Sequence, residues 1–123
     1  MELRPLIGNR IYGCDDCQTA CPWNKYAQVS TLPDFDERAP LGSATLLQLW
    51  RWDEAEFLRR TEGSAIRRIG FARWRRNLAV GIGNALRSAA LPAEEGAALR
   101  AALARERVAA GPLVQEHIDW ALG

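Results

Sequence analysis

Phe71–Ser88 reads FARWRRNLAVGIGNALRS, and this stretch decides the fold. At roughly 100° per residue, Phe71, Trp74, Leu78, Ile82, Ala85 and Leu86 fall within roughly 120° of one another on a helix. Arg73, Arg76 and Arg87 cluster on the opposite side, within roughly 60°. One helix therefore carries an apolar stripe and a basic stripe. Gly81 lies beside the apolar stripe, where glycine costs about 1 kcal/mol of helix propensity relative to alanine. A close neighbouring helix is the expected compensation.

Helices are expected on both sides of this segment. Ser43 is placed to cap a helix carrying Leu46, Leu47, Leu49 and Trp50. Asp53 followed by Glu56 has the form of a capping box before Phe57 and Leu58. Gly63 ends that helix, and a further turn holds Ile66 and Ile69 before Gly70 breaks it. Pro92 sits at a favoured first-turn position of a helix that buries Leu99 and Leu103. Gly111-Pro112 opens a last helix, with Leu113, Val114, His117, Ile118, Ala121 and Leu122 on one face. Successive helices with tight breaks predict a mainly α protein with a short HEAT-like array over residues 41–123. A simple helical bundle is the alternative. Trp50, Trp52, Trp74 and Trp120 are expected as core or helix contacts, and His117 as a half-buried packing residue.

Residues 1–40 read differently. Pro5, Gly8, Gly13, Pro22, Pro33 and Pro40 interrupt any long element. A short helix is expected before Gly8 and another over about Asp16–Ala20. Val29–Pro40 has no periodicity and reads as a connecting loop.

This segment holds all three cysteines of the chain, Cys14, Cys17 and Cys21, in the eight residues CDDCQTAC, followed by Pro22. Cysteines at C-x2-C-x3-C-P spacing point to thiolate ligation of an iron–sulfur cluster. In the bacterial ferredoxin run the cysteine before proline ligates the second cluster of a pair. By that logic Cys14 and Cys17 serve one [4Fe–4S] cluster and Cys21 another, and neither set of four thiolates is complete. Zinc competes, because C-x2-C is also half a zinc knuckle. The one histidine, His117, lies about a hundred residues away. A disulfide framework fits poorly with an odd count and no signal-like N-terminus. Metal-type cysteines point to a reducing, cytoplasmic setting.

Composition permits one soluble domain: 48% of residues are apolar and 25% charged, with no uncharged apolar run of membrane-spanning length. Net charge is only +1. Its distribution is more telling. Arg59, Arg60, Arg67, Arg68, Arg73, Arg75 and Arg76 stand against the single acid Glu62, a local charge of +6 in eighteen residues. Arginine's planar fork suits phosphate oxygens. Arg67, Arg68, Arg73, Arg75 and Arg76 are therefore candidate phosphate-binding residues, with a solvated face paired to Glu54, Glu56 and Glu62 as the plainer alternative. Trp23 and Tyr26, beside Lys25, are candidates for packing around a cluster or stacking on a base. Asp15 and Asp16 are placed either to cap a short helix or to tune a cluster by their charge.

LRPLIGNRIYGCDDCQTACPWNK, residues 3–25, and FLRRTEGSAIRRIGFARWRRNLAVGIGNAL, residues 57–86, resemble the epoxyqueuosine reductase family. The resemblance is strong over about residues 2–28 and 42–87 and weaker through the last helices. It implies reduction of epoxyqueuosine to queuosine in tRNA, using cobalamin and two [4Fe–4S] clusters. It further implies a ferredoxin-like segment over residues 1–40 and a HEAT-like tRNA-binding domain over 41–123. Cys14, Cys17 and Cys21 match the family's second cysteine run, and no residue of this chain is catalytic in itself. Nothing here resembles the family's N-terminal cobalamin and catalytic domain or its first cysteine run. The expectation is a C-terminal part, inactive alone, whose partners are tRNA, the N-terminal portion and an unspecified electron donor, with no membrane. The alternatives are an iron–sulfur electron-transfer module, or a helical interaction or zinc-binding protein without catalysis.

Overall fold

Helix α5, Gly70–Leu86, is the axis around which the chain is built. A computed structural model describes residues 2–36 and 41–123, the side chain of Phe35 excepted. Among these the elements are all helical, with no strand. Short helices α1 (Arg4–Ile7) and α2 (Asp16–Thr19) are followed by 3-10 turns at Pro22–Tyr26 and Pro33–Phe35. Then come α3 (Leu46–Trp50), α4 (Glu54–Arg60), a 3-10 turn at Ala65–Ile69, α5, α6 (Ala93–Arg107) and α7 (Pro112–Leu122). The expected boundary near residue 40 lies outside the described residues.

α5 touches α1, α3, α4, α6, α7 and the Ala65–Ile69 turn, and its longest contact is with α7. The expected stripe is real: Trp74, Leu78 and Ile82 are buried. Burial goes further than the stripe, because every residue from Leu78 to Gly83 is buried. Ala79, Val80 and Gly83 let neighbours close over the faces that a two-sided helix would leave to solvent. The basic stripe is thus confined to the ends of α5. Phe57 stands at the centre of an aromatic cluster, its ring centroid 5.5 Å from Trp74 and 5.8 Å from Phe71, and Trp52 stacks on Trp74 at 5.7 Å. Offset and tilted pairs of this kind add about 1 kcal/mol each beyond their area. Trp50 and Trp74 are fully buried, and Trp52 and Trp120 pack at the margin of the core.

Local chemistry sets the helix ends, with four corrections to the sequence reading. Thr45, not Ser43, caps α3: its Oγ1 accepts from Gln48 N while the Gln48 side chain accepts from Thr45 N, a complete capping box. Asp53 caps α4 by accepting from Glu56 N at 2.8 Å. The Glu56 side chain does not return the bond. It pairs with Arg59 and Arg60 at 2.5 and 2.7 Å. Pro92 is the residue before α6, and Pro112 is the proline inside a first turn. Gly70 opens α5 with φ of +77°, a conformation that side chains disfavour, so glycine there joins the Ala65–Ile69 turn to α5 rather than merely ending it.

Gly81 is buried, and helix α3 does approach it, with Leu46 Cδ2 3.7 Å from where a Cβ would lie, but its nearest neighbour is not in a helix. A Cβ there would lie 2.7 Å from Ile11 Cδ1, in the N-terminal segment. The glycine that admits a helix is Gly83, where a Cβ would lie 2.6 Å from the Trp120 ring and 2.9 Å from Ala121 Cα of α7.

Candidate cysteine site and basic face

Gly13, at φ of +69°, turns the chain immediately before Cys14. Cys14 lies in the loop, Cys17 in α2, and Cys21 just before the Pro22–Tyr26 turn. Proline fixes that last break, since it biases the preceding residue toward extended backbone, and Cys21 has ψ of 123°. Asn24 holds the two short elements together by donating from Nδ2 to Gln18 O and Thr19 O. Cys14 and Cys17 are exposed, Cys21 is half-buried, and all three thiols are free. No group of three His, Cys, Asp or Glu side chains among the described residues is arranged to hold a metal ion. Two exposed thiols and one half-buried thiol within eight residues are a donor set of the type that can bind a soft metal as thiolates.

Charge around the thiols is organised by Arg10. Its Nη2 donates to both oxygens of Asp16, at 2.9 and 2.8 Å. The Arg10 guanidinium, followed by the Cys14 thiol, holds the Asp16 carboxyl below the usual carboxylate range. Asp15 occupies the cap position of α2 without a side-chain capping bond. Trp23 and Tyr26 are exposed, with ring centroids 5.5 Å apart, and Lys25 Nζ lies 4.9 Å from the Tyr26 ring.

The segment is fastened to α5 by two asparagines. Asn77 Nδ2 donates to Ile11 O at 2.7 Å, and Asn84 Nδ2 donates to Gly8 O at 2.7 Å and Arg4 O at 2.9 Å. Gly81 stands between them in sequence. On a helical wheel the three residues fall within roughly 60°, beside the apolar stripe, which is the signal that could have marked them.

The five candidate arginines do not form one set. Arg67 and Arg68 are exposed on the Ala65–Ile69 turn, and Arg73 is exposed on α5. Arg76 is half-buried and donates Nε and Nη2 to Asn77 Oδ1 at 3.0 and 2.8 Å. Arg75 is the exception. It is 8% exposed, its guanidinium lies 3.7 Å from the Trp50 ring centroid, and it donates to Trp50 O at 2.8 Å and Glu106 at 3.0 Å. Burial pushes the Arg75 guanidinium below its ordinary value, partly opposed by Glu106. Its donors are engaged inside the protein, so its place in a phosphate-binding set is corrected to a structural one. A helical-wheel position inside the apolar stripe would have revealed it. Arg59 and Arg60, outside the candidate set, are held by Glu56. His117 is half-buried, with Nδ1 2.8 Å from Leu113 O.

These features define a mainly α-helical protein with a thiol-bearing N-terminal segment hydrogen-bonded to its central helix. Comparison with known proteins narrows this. The chain is 66% identical over 120 residues to an epoxyqueuosine reductase of Alicycliphilus denitrificans. It is 57% identical to one from Xanthomonas campestris and 54% identical to one from Escherichia coli, each over 121 residues. These alignments take in 98% of this chain and 30–33% of the relatives. The resemblance to epoxyqueuosine reductases thus extends through the last helices, and the chain spans about a third of the length of the relatives it matches. No family model and no solved structure matches. No helix among the described residues is long and apolar enough to cross a membrane.

Proposed function

We propose that this chain supplies cluster ligands and an RNA-binding face to an epoxyqueuosine reductase, an oxidoreductase that converts epoxyqueuosine to queuosine in tRNA. The observation that carries this reading is the 66% identity to a protein of that name across 98% of the chain. Residues 1–40 act as a ferredoxin-like segment and residues 41–123 as a HEAT-like tRNA-binding domain, in a cytoplasmic enzyme. Cys14 and Cys17 ligate one [4Fe–4S] cluster and Cys21 the other, with the remaining thiolates and the cobalamin site on polypeptide beyond this chain. When bound, such clusters supply single electrons for reduction at the cobalamin.

The work of this chain's own residues is positional. Asn24 fixes Cys21 relative to α2, and Asn77 and Asn84 hold the segment against α5. Arg67, Arg68, Arg73 and Arg76 supply phosphate contacts, which give affinity without sequence information.

Anaerobic reconstitution with iron and sulfide tests the ligand assignment. The isolated chain is expected to hold no stoichiometric four-iron cluster, and to gain one when a polypeptide carrying the rest of the relatives' length is present. A tightly bound zinc ion with every thiol coordinated, or a stable four-iron cluster on the chain alone, would overturn it. Titration with tRNA at two salt concentrations tests the basic face, where affinity indifferent to salt is the negative result.

A further inference from the structure

We propose that the cavity between the N-terminal segment, α5 and α7 is a binding site for one phosphate group. It measures about 240 Å3. Arg4, Arg10, Arg76, Asn77 and His117 supply its polar lining, and no carboxylate lines it among the described residues. Three regions of the chain that are far apart in sequence thus bring three guanidiniums and an imidazole to one concavity. The apolar remainder of the wall includes Val80 and Leu113, which lower the local dielectric and strengthen an ionic contact.

The partners of these cations leave room for an anion. Arg4 pairs with Glu116 and, at 3.7 Å, with Glu2, and Arg10 pairs with Asp16 at 2.8 Å. All three acid side chains are more than half exposed, so these are surface pairs that hold little energy and exchange with solvent. Arg76 bonds to a neutral amide, Asn77 Oδ1, which is itself steadied by the Asn77–Ile11 bond. Its charge is aimed without being neutralised. His117 Nδ1 faces Leu113 O, and a carbonyl oxygen only accepts, so Nδ1 carries a proton. With that proton fixed on Nδ1, Nε2 donates to a phosphate oxygen only in the imidazolium form of the ring.

Two sources carry the same chemistry: an RNA backbone phosphate and free inorganic phosphate. Arg76 belongs both to this cavity and to the basic face, so a backbone crossing Arg73 can place a phosphate here. The assignment to RNA rests on the RNA-binding reading above, whereas the cavity itself does not.

The test uses the full chain and the variants Arg76→Gln, His117→Gln and Arg68→Gln, each checked for an unchanged melting transition. Inorganic phosphate is titrated while the Arg76 Nε and His117 ring resonances are followed by NMR. A short RNA hairpin is titrated across a salt series. Phosphate is expected to shift both resonances, and Arg76→Gln to weaken that binding by about ten-fold. Arg76→Gln is also expected to lower the log–log salt slope of RNA binding by about one unit. A phosphate response with RNA binding indifferent to Arg76→Gln and His117→Gln supports the cavity as a free-phosphate site. No response to phosphate from a folded chain, with RNA indifferent to both variants, overturns the proposal. If Arg68→Gln alone then weakens RNA binding, the basic face stands without this site.

Discussion

Asn77 Nδ2 lies 2.7 Å from the carbonyl oxygen of Ile11, joining the middle of the longest helix to the backbone three residues before Cys14. With Asn84 on Gly8 and Arg4, it converts a loop-rich segment into one that moves with α5. Replacing Asn77 by alanine should cost about 1 kcal/mol of stability, and Asn84, which serves two carbonyls, somewhat more. Hydrogen exchange should show residues 4–12 opening before the helical body in either variant. Uniform protection in both would contradict this anchoring.

Gly83 and Gly81 should respond differently to alanine. At Gly83 the new methyl meets the backbone of Ala121 and the Trp120 ring, neither of which can yield without moving α7. The strain of overpacking, about 1–3 kcal/mol, exceeds the helix-propensity gain of about 1 kcal/mol, and Gly83→Ala should be destabilised. At Gly81 the obstacle is Cδ1 of Ile11, the far end of a flexible side chain. Gly81→Ala should therefore remain within about 1 kcal/mol of the parent. Chemical denaturation of the two variants side by side checks the difference.

Arg75→Ala should lower stability by about 2–3 kcal/mol, because it leaves Trp50 O without its donor and removes the cation stacked on Trp50. Arg75→Lys should not restore it, since an ammonium cannot stack and fork in the same way. Arg68→Ala, at an exposed position, should lie within about 0.5 kcal/mol of the parent. Equal losses at the two sites would refute the division between structural and surface arginines.

Asp119 offers a pH probe away from the cysteines. Hydrogen bonding to Arg107 holds its carboxyl below the ordinary value of 3.8. A carboxylate whose folded value is depressed adds stability that is fully present above the unfolded value. That stability is lost as pH falls through the lower folded value. NMR titration should place the Asp119 midpoint below 3.8, and Arg107→Gln should raise it toward that value. An unchanged midpoint in the variant would show that the pair does not form in solution.

Some of this protein was determined by the sequence alone. The 3.6-residue recurrence of Phe71, Trp74, Leu78 and Ile82 suffices to make α5 a core helix, because apolar burial needs only a periodic face. Cysteine spacing likewise supports the proposal of thiolate ligation without reference to any fold. Only the tertiary structure decided which neighbour each surface meets. Arg75 sits in the cation-rich run yet inside the apolar stripe, and its donors turn inward because Trp50 O and Glu106 happen to lie there. The need for glycine at position 83 comes from α7, which packs against it. Asn77 and Asn84 take their role from carbonyls 66 to 80 residues away. Periodicity is a property of one segment, whereas a hydrogen-bond partner or a close approach belongs to two, and their pairing is fixed only when the chain folds.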